Sequence, residues 1–193
     1  MEQQLLHYRL TSLGHICALE RDPEVAKRFK QNLPIYARKM TYIQSWLGSQ
    51  ESLQKIQEFN ERVGPFDVLD LDFCGAFGRD IFDNVFKLFE TCKVNKNFVM
   101  FVTHAKGREY DLGGIPELLK DFQLVGNIEN LFTEYTSGFE ESQFVRNWCI
   151  PTLYQTAFEC AYTEPNDIRL AGFIAYQDKD KKVPMMQYFF ESY

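Results

Sequence analysis

Apolar residues recur along this chain with two spacings, and the alternation between them predicts its elements. Leu5, Leu6 and Leu10 share a helical stripe over residues 2–12, Gly14 interrupts it, and His15 to Leu19 is a short apolar run suited to a buried strand. Asp22-Pro23-Glu24 then marks a helix start. Asp22 can cap, Pro23 fits the first turn where its missing N–H costs nothing, and Glu24 complements the positive end of the helix dipole. That helix is predicted from Pro23 to Asn32. Met40 to Gln44 reads as a second strand, residues 49–61 as an amphipathic helix, and Phe66 to Asp72, after the turn Gly64-Pro65, as the clearest strand of all. Arg79 to Cys92 follows as a helix and Asn97 to Thr103 as a further buried strand. Ile115 to Phe122 and Glu140 to Tyr162 read as helical, the latter with a kink or break at Pro151. Strands Arg169 to Tyr176 and Pro184 to Phe190, joined by the polar turn Gln177 to Lys182, close the chain as a β-hairpin.

Strands separated by helices call for right-handed parallel crossovers. The pattern therefore predicts an α/β fold: a Rossmann-like, mostly parallel sheet with helices on both faces, to which a C-terminal antiparallel β-hairpin adds one reversed edge strand. At 193 residues the chain suits one core, so residues 1–193 are expected to form a single domain. Open sheets of this kind bind ligands beyond the carboxyl ends of their strands. The residues just after each strand are the ones to inspect.

Composition narrows the classes. Hydrophobic residues at 45% and charged residues at 25% are ordinary for a globular chain and exclude disordered and fibrous types. Aromatics reach 16% and crowd the last third, as a bulky core or an interface would require. No window is apolar enough to span a membrane, and Met1-Glu2-Gln3-Gln4 lacks the basic start of a signal peptide, which predicts a cytoplasmic protein without membrane contact. Five cysteines (Cys17, Cys74, Cys92, Cys149, Cys160), odd in number and without a C-x-x-C pair, predict buried thiols rather than a zinc site or disulfides. His7, His15 and His104 have no ligand spacing, so no metal is expected. A net charge of -6 argues against a whole-surface grip on nucleic acid. Only the local patches at Lys27, Arg28, Lys30, Arg38 and Lys39, and at Lys179 to Lys182, offer one, and both read better as solvated surface.

Three strand ends carry candidate chemistry. Leu19-Glu20-Arg21-Asp22-Pro23 puts a carboxylate at a strand tip with a helix start behind it, where Glu20 and its neighbour Arg21 can meet a ribose; the plain alternative is a surface acid on the helix dipole. Gln44-Ser45-Trp46 closes the next strand, with Trp46 able to stack on adenine or simply to pack. Asp70-Leu71-Asp72-Phe73-Cys74-Gly75 places two carboxylates on one side of a strand, with Val68 beside them and Leu69 and Leu71 opposite. Like charges so close repel, which points to function; otherwise Asp70 caps an amide and Asp72 begins a turn.

At these residues the chain resembles class I S-adenosylmethionine-dependent methyltransferases. Residues 3–33 look like that family's first helix, second strand and second helix, in which the acid closing the strand, here Glu20, binds the cofactor ribose. Phe66 to Gly75 is similar to the segment after the family's fourth strand, where enzymes acting on nucleic-acid amines carry Asp-Pro-Pro-Tyr or Asp-Pro-Phe-Gly, and tRNA guanine dimethyltransferases Asp-Leu-Asp-Pro-Phe-Gly. Asp72 and Gly75 match the last pattern, while Phe73 and Cys74 replace its Pro and Phe. The terminal hairpin fits the family's sixth and seventh strands. The resemblance implies S-adenosylmethionine as cofactor, bound by Glu20, Arg21, Gln44, Ser45 and Trp46. It also implies a base amine in tRNA or DNA as acceptor, held by Asp72, stacked on Phe73 and read by the Cys74-Gly75 backbone.

One departure stands out: the family's first strand and glycine-rich turn have no counterpart, since Gly14 stands alone and Gly113-Gly114 falls in a late loop. The expectation is an N-terminally incomplete domain, whose open edges another subunit or copy would cover, or a degenerate domain serving as a partner or binding subunit. A further reading sets Asp70 as nucleophile and Asp72 as general acid, with Thr103 at the next strand end, as in haloacid dehalogenase-like phosphohydrolases. There Lys106, Asp178 and Asp180 would assist, although that family's motif sits on its first strand.

Overall fold

The computed structural model describes residues 15–32, 40–106, 114–122, 143–162, 168–177 and 184–192. The helix expected over residues 2–12, the hairpin turn and the patch at Lys179 to Lys182 lie outside the described residues. The chain divides into two compact units, residues 1–65 with Thr91–Lys93, and residues 66–90 with 94–193.

The first unit is one parallel crossover. Strand β1 (Ile16–Leu19) leads into helix α1 (Pro23–Asn32) and strand β2 (Met40–Ile43), and the strands pair in parallel from Ile16 opposite Met40 to Leu19 opposite Ile43. Helix α1 starts where the sequence predicts: Asp22 Oδ1 accepts from the Glu24 amide at 2.8 Å. Helix α2 (Gln50–Val63) starts at Ser49, whose hydroxyl accepts from the Ser52 amide at 3.1 Å, and ends at Gly64 with φ 116°, a left-handed value that favours glycine. Ile43, Ile56 and Phe59 form its core. Buried Asn60 ties the ends together, accepting from the Lys93 amide at 2.9 Å and donating to Gly64 O.

In the second unit, strand β3 (Phe66–Ala76), helix α3 (Arg79–Thr91) and strand β4 (Val94–Ala105) make another parallel crossover. Helix α4 (Ile115–Asp121), a π-helical turn at Val145–Cys149, helix α5 (Ile150–Ala161) and strands β5 (Ile168–Gln177) and β6 (Pro184–Ser192) complete it. The π turn lies directly before Pro151 in the first turn of α5, where the ring has no N–H to give and a widened turn relieves its clash with the preceding carbonyls.

The four-stranded sheet runs β3-β4-β6-β5, and here the expected architecture needs correction. The sheet is mixed, not mostly parallel: only β3 with β4 is parallel, while β4 with β6 and β6 with β5 are antiparallel. The reversed strand is internal and not at the edge. Burial explains the swap, because β6 carries Met186, Tyr188 and Phe190, all buried, whereas β5 leaves Phe173, Ile174 and Tyr176 exposed and so takes the rim. An α/β class stands.

One face of this sheet is heavily packed. Phe158 of α5 stacks on Phe98 of β4 at 4.9 Å and meets Phe89 of α3 edge-on, and Tyr154 contacts Phe82 and Phe190. The Tyr188 hydroxyl donates to Arg146 O at 2.8 Å, so a buried phenol finds its partner in the π turn. The opposite face carries Val68 and Val99, both exposed.

Candidate functional site

Each unit carries acids on its leading strand, Glu20 directly after β1 in the first and Asp70 and Asp72 within β3 in the second. In the first, Glu20 follows β1 and its amide donates to Ile43 O, which extends the β1–β2 ladder by one bond. Its carboxylate Oε1 accepts from the Asp22 amide at 2.7 Å, a turn bond that leaves Oε2 to accept from elsewhere. Tyr42 donates its hydroxyl to Glu20 O at 3.0 Å; burial raises that phenol's pKa, and the charges of Glu20 and Asp22 add to the rise. Arg21 is exposed. After β2, Gln44 is exposed and Trp46 presents an indole that is 51% exposed. Ser45 is drawn into the cap of α2, its hydroxyl 2.7 Å from that of Ser49, and Ser52 Oγ donates to Trp46 O at 3.0 Å. These bonds fix the Ser45-Trp46 backbone while leaving the Trp46 ring free to stack. Alongside lies a cleft of about 340 Å³ lined by Pro23, Ala26, Lys27, Gln31, Tyr42 and Gln44, within the range of small-molecule sites. Of these, sequence reasoning singled out only Gln44 as cofactor-facing; the spacing of Pro23, Ala26 and Lys27 along one side of α1 was the available signal.

In the second unit Asp70 and Asp72 lie on the same face of β3 as Val68, as the strand period requires, with Leu69 buried on the other. Both acids are exposed. Burial of its carboxyl raises the pKa of Asp70 above the ordinary carboxylate value, and the charge of Asp72 pushes the same way. The turn expected at Phe73-Cys74-Gly75 is instead a continuation of β3 with an irregular register between Asp72 and Ala76. Such bulges re-aim side chains beside active sites. Phe73 lies flat against His104, ring centres 5.2 Å apart and planes within 9°. A Cβ added at Gly75 would meet Ile81 Cδ1 at an ordinary 3.9 Å, so packing alone does not demand glycine there.

Two polar pairings near this end, His104 with Tyr154 and Thr103 with Gln187, escaped sequence reasoning, although Asp72 and Thr103 were singled out there. His104 Nε2 lies 2.6 Å from the Tyr154 hydroxyl with the rings nearly parallel, while Nδ1 is buried without a hydrogen-bond partner among the described residues. Burial pushes the imidazole pKa down to about 3, so His104 is neutral at physiological pH. Across the sheet, Asp72 is opposite Thr103 and Thr103 is opposite Gln187, three polar residues in one row. Gln187 Nε2 donates to the buried Thr103 hydroxyl at 3.0 Å. A threonine closing the apolar run Phe98 to Val102 and a glutamine among Met185 to Phe190 were the visible signals. Burial pushes the Cys149 thiol up to about 12 and that of Cys17 up to about 11, which keeps both protonated and unsuited to nucleophilic work.

No family model and no curated protein matches the chain. Among the described residues, no helix is long and apolar enough to cross a membrane.

Proposed function

We propose that the chain is an S-adenosylmethionine-dependent methyltransferase of the class I kind, acting on an amino group of a nucleic-acid base. One observation carries the reading: the leading strand of each parallel crossover carries an acid with an acceptor oxygen to offer, Glu20 directly after β1 and Asp72 within β3, four residues before that strand ends at Ala76. Open α/β sheets bind ligands beyond the carboxyl ends of their strands, where Glu20 lies. The nucleoside portion of the cofactor fits the first unit's end. Glu20 Oε2 is free for a ribose hydroxyl, Gln44 offers an amide, and the open Trp46 face accepts a planar ring. The bound cofactor would supply an electrophilic methyl group. In the second unit, Asp72 would accept a hydrogen bond from the acceptor amine and orient its nitrogen, a positioning role. The bulge at Phe73-Cys74-Gly75 would shape the rim on which an extruded base rests.

A cytoplasmic setting suits Cys17, Cys149 and Cys160, which are free thiols. tRNA or DNA is the proposed macromolecular partner, and a second copy or another subunit the proposed cover for the open sheet edges. The deciding experiment pairs calorimetry of S-adenosylmethionine binding, for the wild type and for Glu20→Gln, with transfer of labelled methyl to tRNA and DNA. The reading expects binding weakened roughly tenfold by Glu20→Gln, the loss of one hydrogen bond to a charged group, and label on a base amine. Cofactor binding without transfer to either would instead favour the degenerate binding subunit, and no binding at all would end both.

A further inference from the structure

The row Asp72–Thr103–Gln187 crosses three neighbouring strands on a single face, two residues before the carboxyl end of β4 at Ala105. Strands in a sheet lie roughly 4.8 Å apart, so a ligand meeting Asp72 at one strand is within one spacing of Thr103 and two of Gln187. Gln187 shortens the second step, because its amide leans onto the Thr103 hydroxyl. That bond spends an N–H and leaves the carbonyl oxygen Oε1 to accept. The row directly behind it on the same face is apolar at two of its three places. Asp70 is opposite Phe101, which is opposite Phe189, and the two rings meet edge-on at 5.2 Å. Polar groups in a row beside an aromatic pair suit a flat ring whose edge carries hydrogen-bonding groups.

We propose that Gln187, held by Thr103, is a specificity residue of this site, which reads the group adjacent to the amine held by Asp72. The inference rests on the methyl-transfer reading. With a carboxylate at one end and a free carbonyl oxygen at the other, the row presents two acceptors. It therefore favours a planar heterocycle in which a ring N–H, and not a bare ring nitrogen, adjoins the amine. An acceptor left facing a bare nitrogen loses its partner, and at the half-buried Gln187 that mismatch is what discriminates.

The test uses the full chain and free guanosine, adenosine and cytidine, with affinities from ligand-observed NMR and methyl transfer measured in parallel. Guanosine, which has a ring N–H beside its amine, is expected to bind roughly three- to tenfold more tightly than the other two, the range one neutral hydrogen bond supplies. Gln187→Leu should erase that preference and Thr103→Val should reduce it, read as the ratio of nucleoside affinities. Equal binding of the three nucleosides by the wild type, or an unchanged preference in Gln187→Leu, overturns the inference. Selective binding without any methyl transfer overturns the proposed activity and leaves the specificity role standing, so the two failures are distinguishable. Unchanged thermal midpoints for both variants establish that the fold is intact.

Discussion

On the sheet of the second unit, the face bearing Phe98, Val102 and His104 is packed by Tyr154 and Phe158, whereas the face bearing Val68, Asp70, Asp72 and Val99 is largely exposed along β3. The same two strands supply both faces, residue by residue in alternation. One face therefore tolerates a single buried imidazole among rings, and the other holds two like charges together. The difference teaches where stability and chemistry reside: substitutions on the packed face should unfold the unit, and those on the open face should change binding while the fold persists.

The sharpest break of that comparison is Tyr154→Ala. Removing a fully buried aromatic costs about 3–5 kcal/mol, and here it also strips His104 Nε2 of the Tyr154 hydroxyl. Val68→Ala on the open face should stay within about 0.5 kcal/mol. Denaturant titration of the pair measures both, and similar costs would abolish the distinction between the faces.

His104 extends the contrast to pH. Its folded pKa is depressed to about 3 by burial, against an ordinary value of 6.5, so between these limits the unfolded chain binds the additional proton. Stability is therefore full above about pH 6.5 and falls as pH drops toward 3, by up to roughly 4 kcal/mol from this group. His104→Leu should flatten that part of the profile when unfolding midpoints are followed from pH 7 to 4; a slope identical to that of the wild type would assign acid sensitivity elsewhere. Smaller again in free energy, and on the open face, is Asp72→Asn. It should lower kcat for methyl transfer about a hundredfold, some 2.7 kcal/mol, with an unchanged unfolding midpoint. Loss of fold instead of rate would move Asp72 out of the site.

The elements were legible because each has a local cause. Asp22 and Pro23 start α1, Gly64 ends α2, and the alternation of Val68 to Asp72 fixes which side of β3 the acids take. The placement of β6 between β4 and β5 was not legible, since both hairpin strands alternate well and only the packing of Tyr188 and Phe190 against the helices decides which goes inside. Glu20 and Asp72 were visible as acids following apolar runs, but the strand expected to end at Asp72 runs on to Ala76. The Gln187–Thr103 bond joins residues 84 apart and depends on that same strand order, so no reading of spacing could have revealed it.

Asp70 gives the smallest effect and the most direct view of the repulsion on the open face. Its pKa is raised, first by burial and then by Asp72, so the folded chain holds this proton more tightly than the unfolded chain. Between the ordinary carboxylate range and the raised value, stability then falls as pH rises, opposite in sign to the usual salt-bridged aspartate. At neutral pH the wild type carries the full penalty. Because the side chain is exposed and screened, that penalty is on the order of a few tenths of a kcal/mol. Asp70→Asn should therefore raise the unfolding midpoint slightly at pH 7, and the gain should vanish below pH 3.8, the ordinary value, where the wild-type carboxyl is itself neutral in both states. Adding Asp72→Asn removes the neighbour's charge, so the gain from Asp70→Asn should shrink in that background. A gain of undiminished size would trace the raised pKa to burial alone and would remove the charge coupling that singles these two acids out.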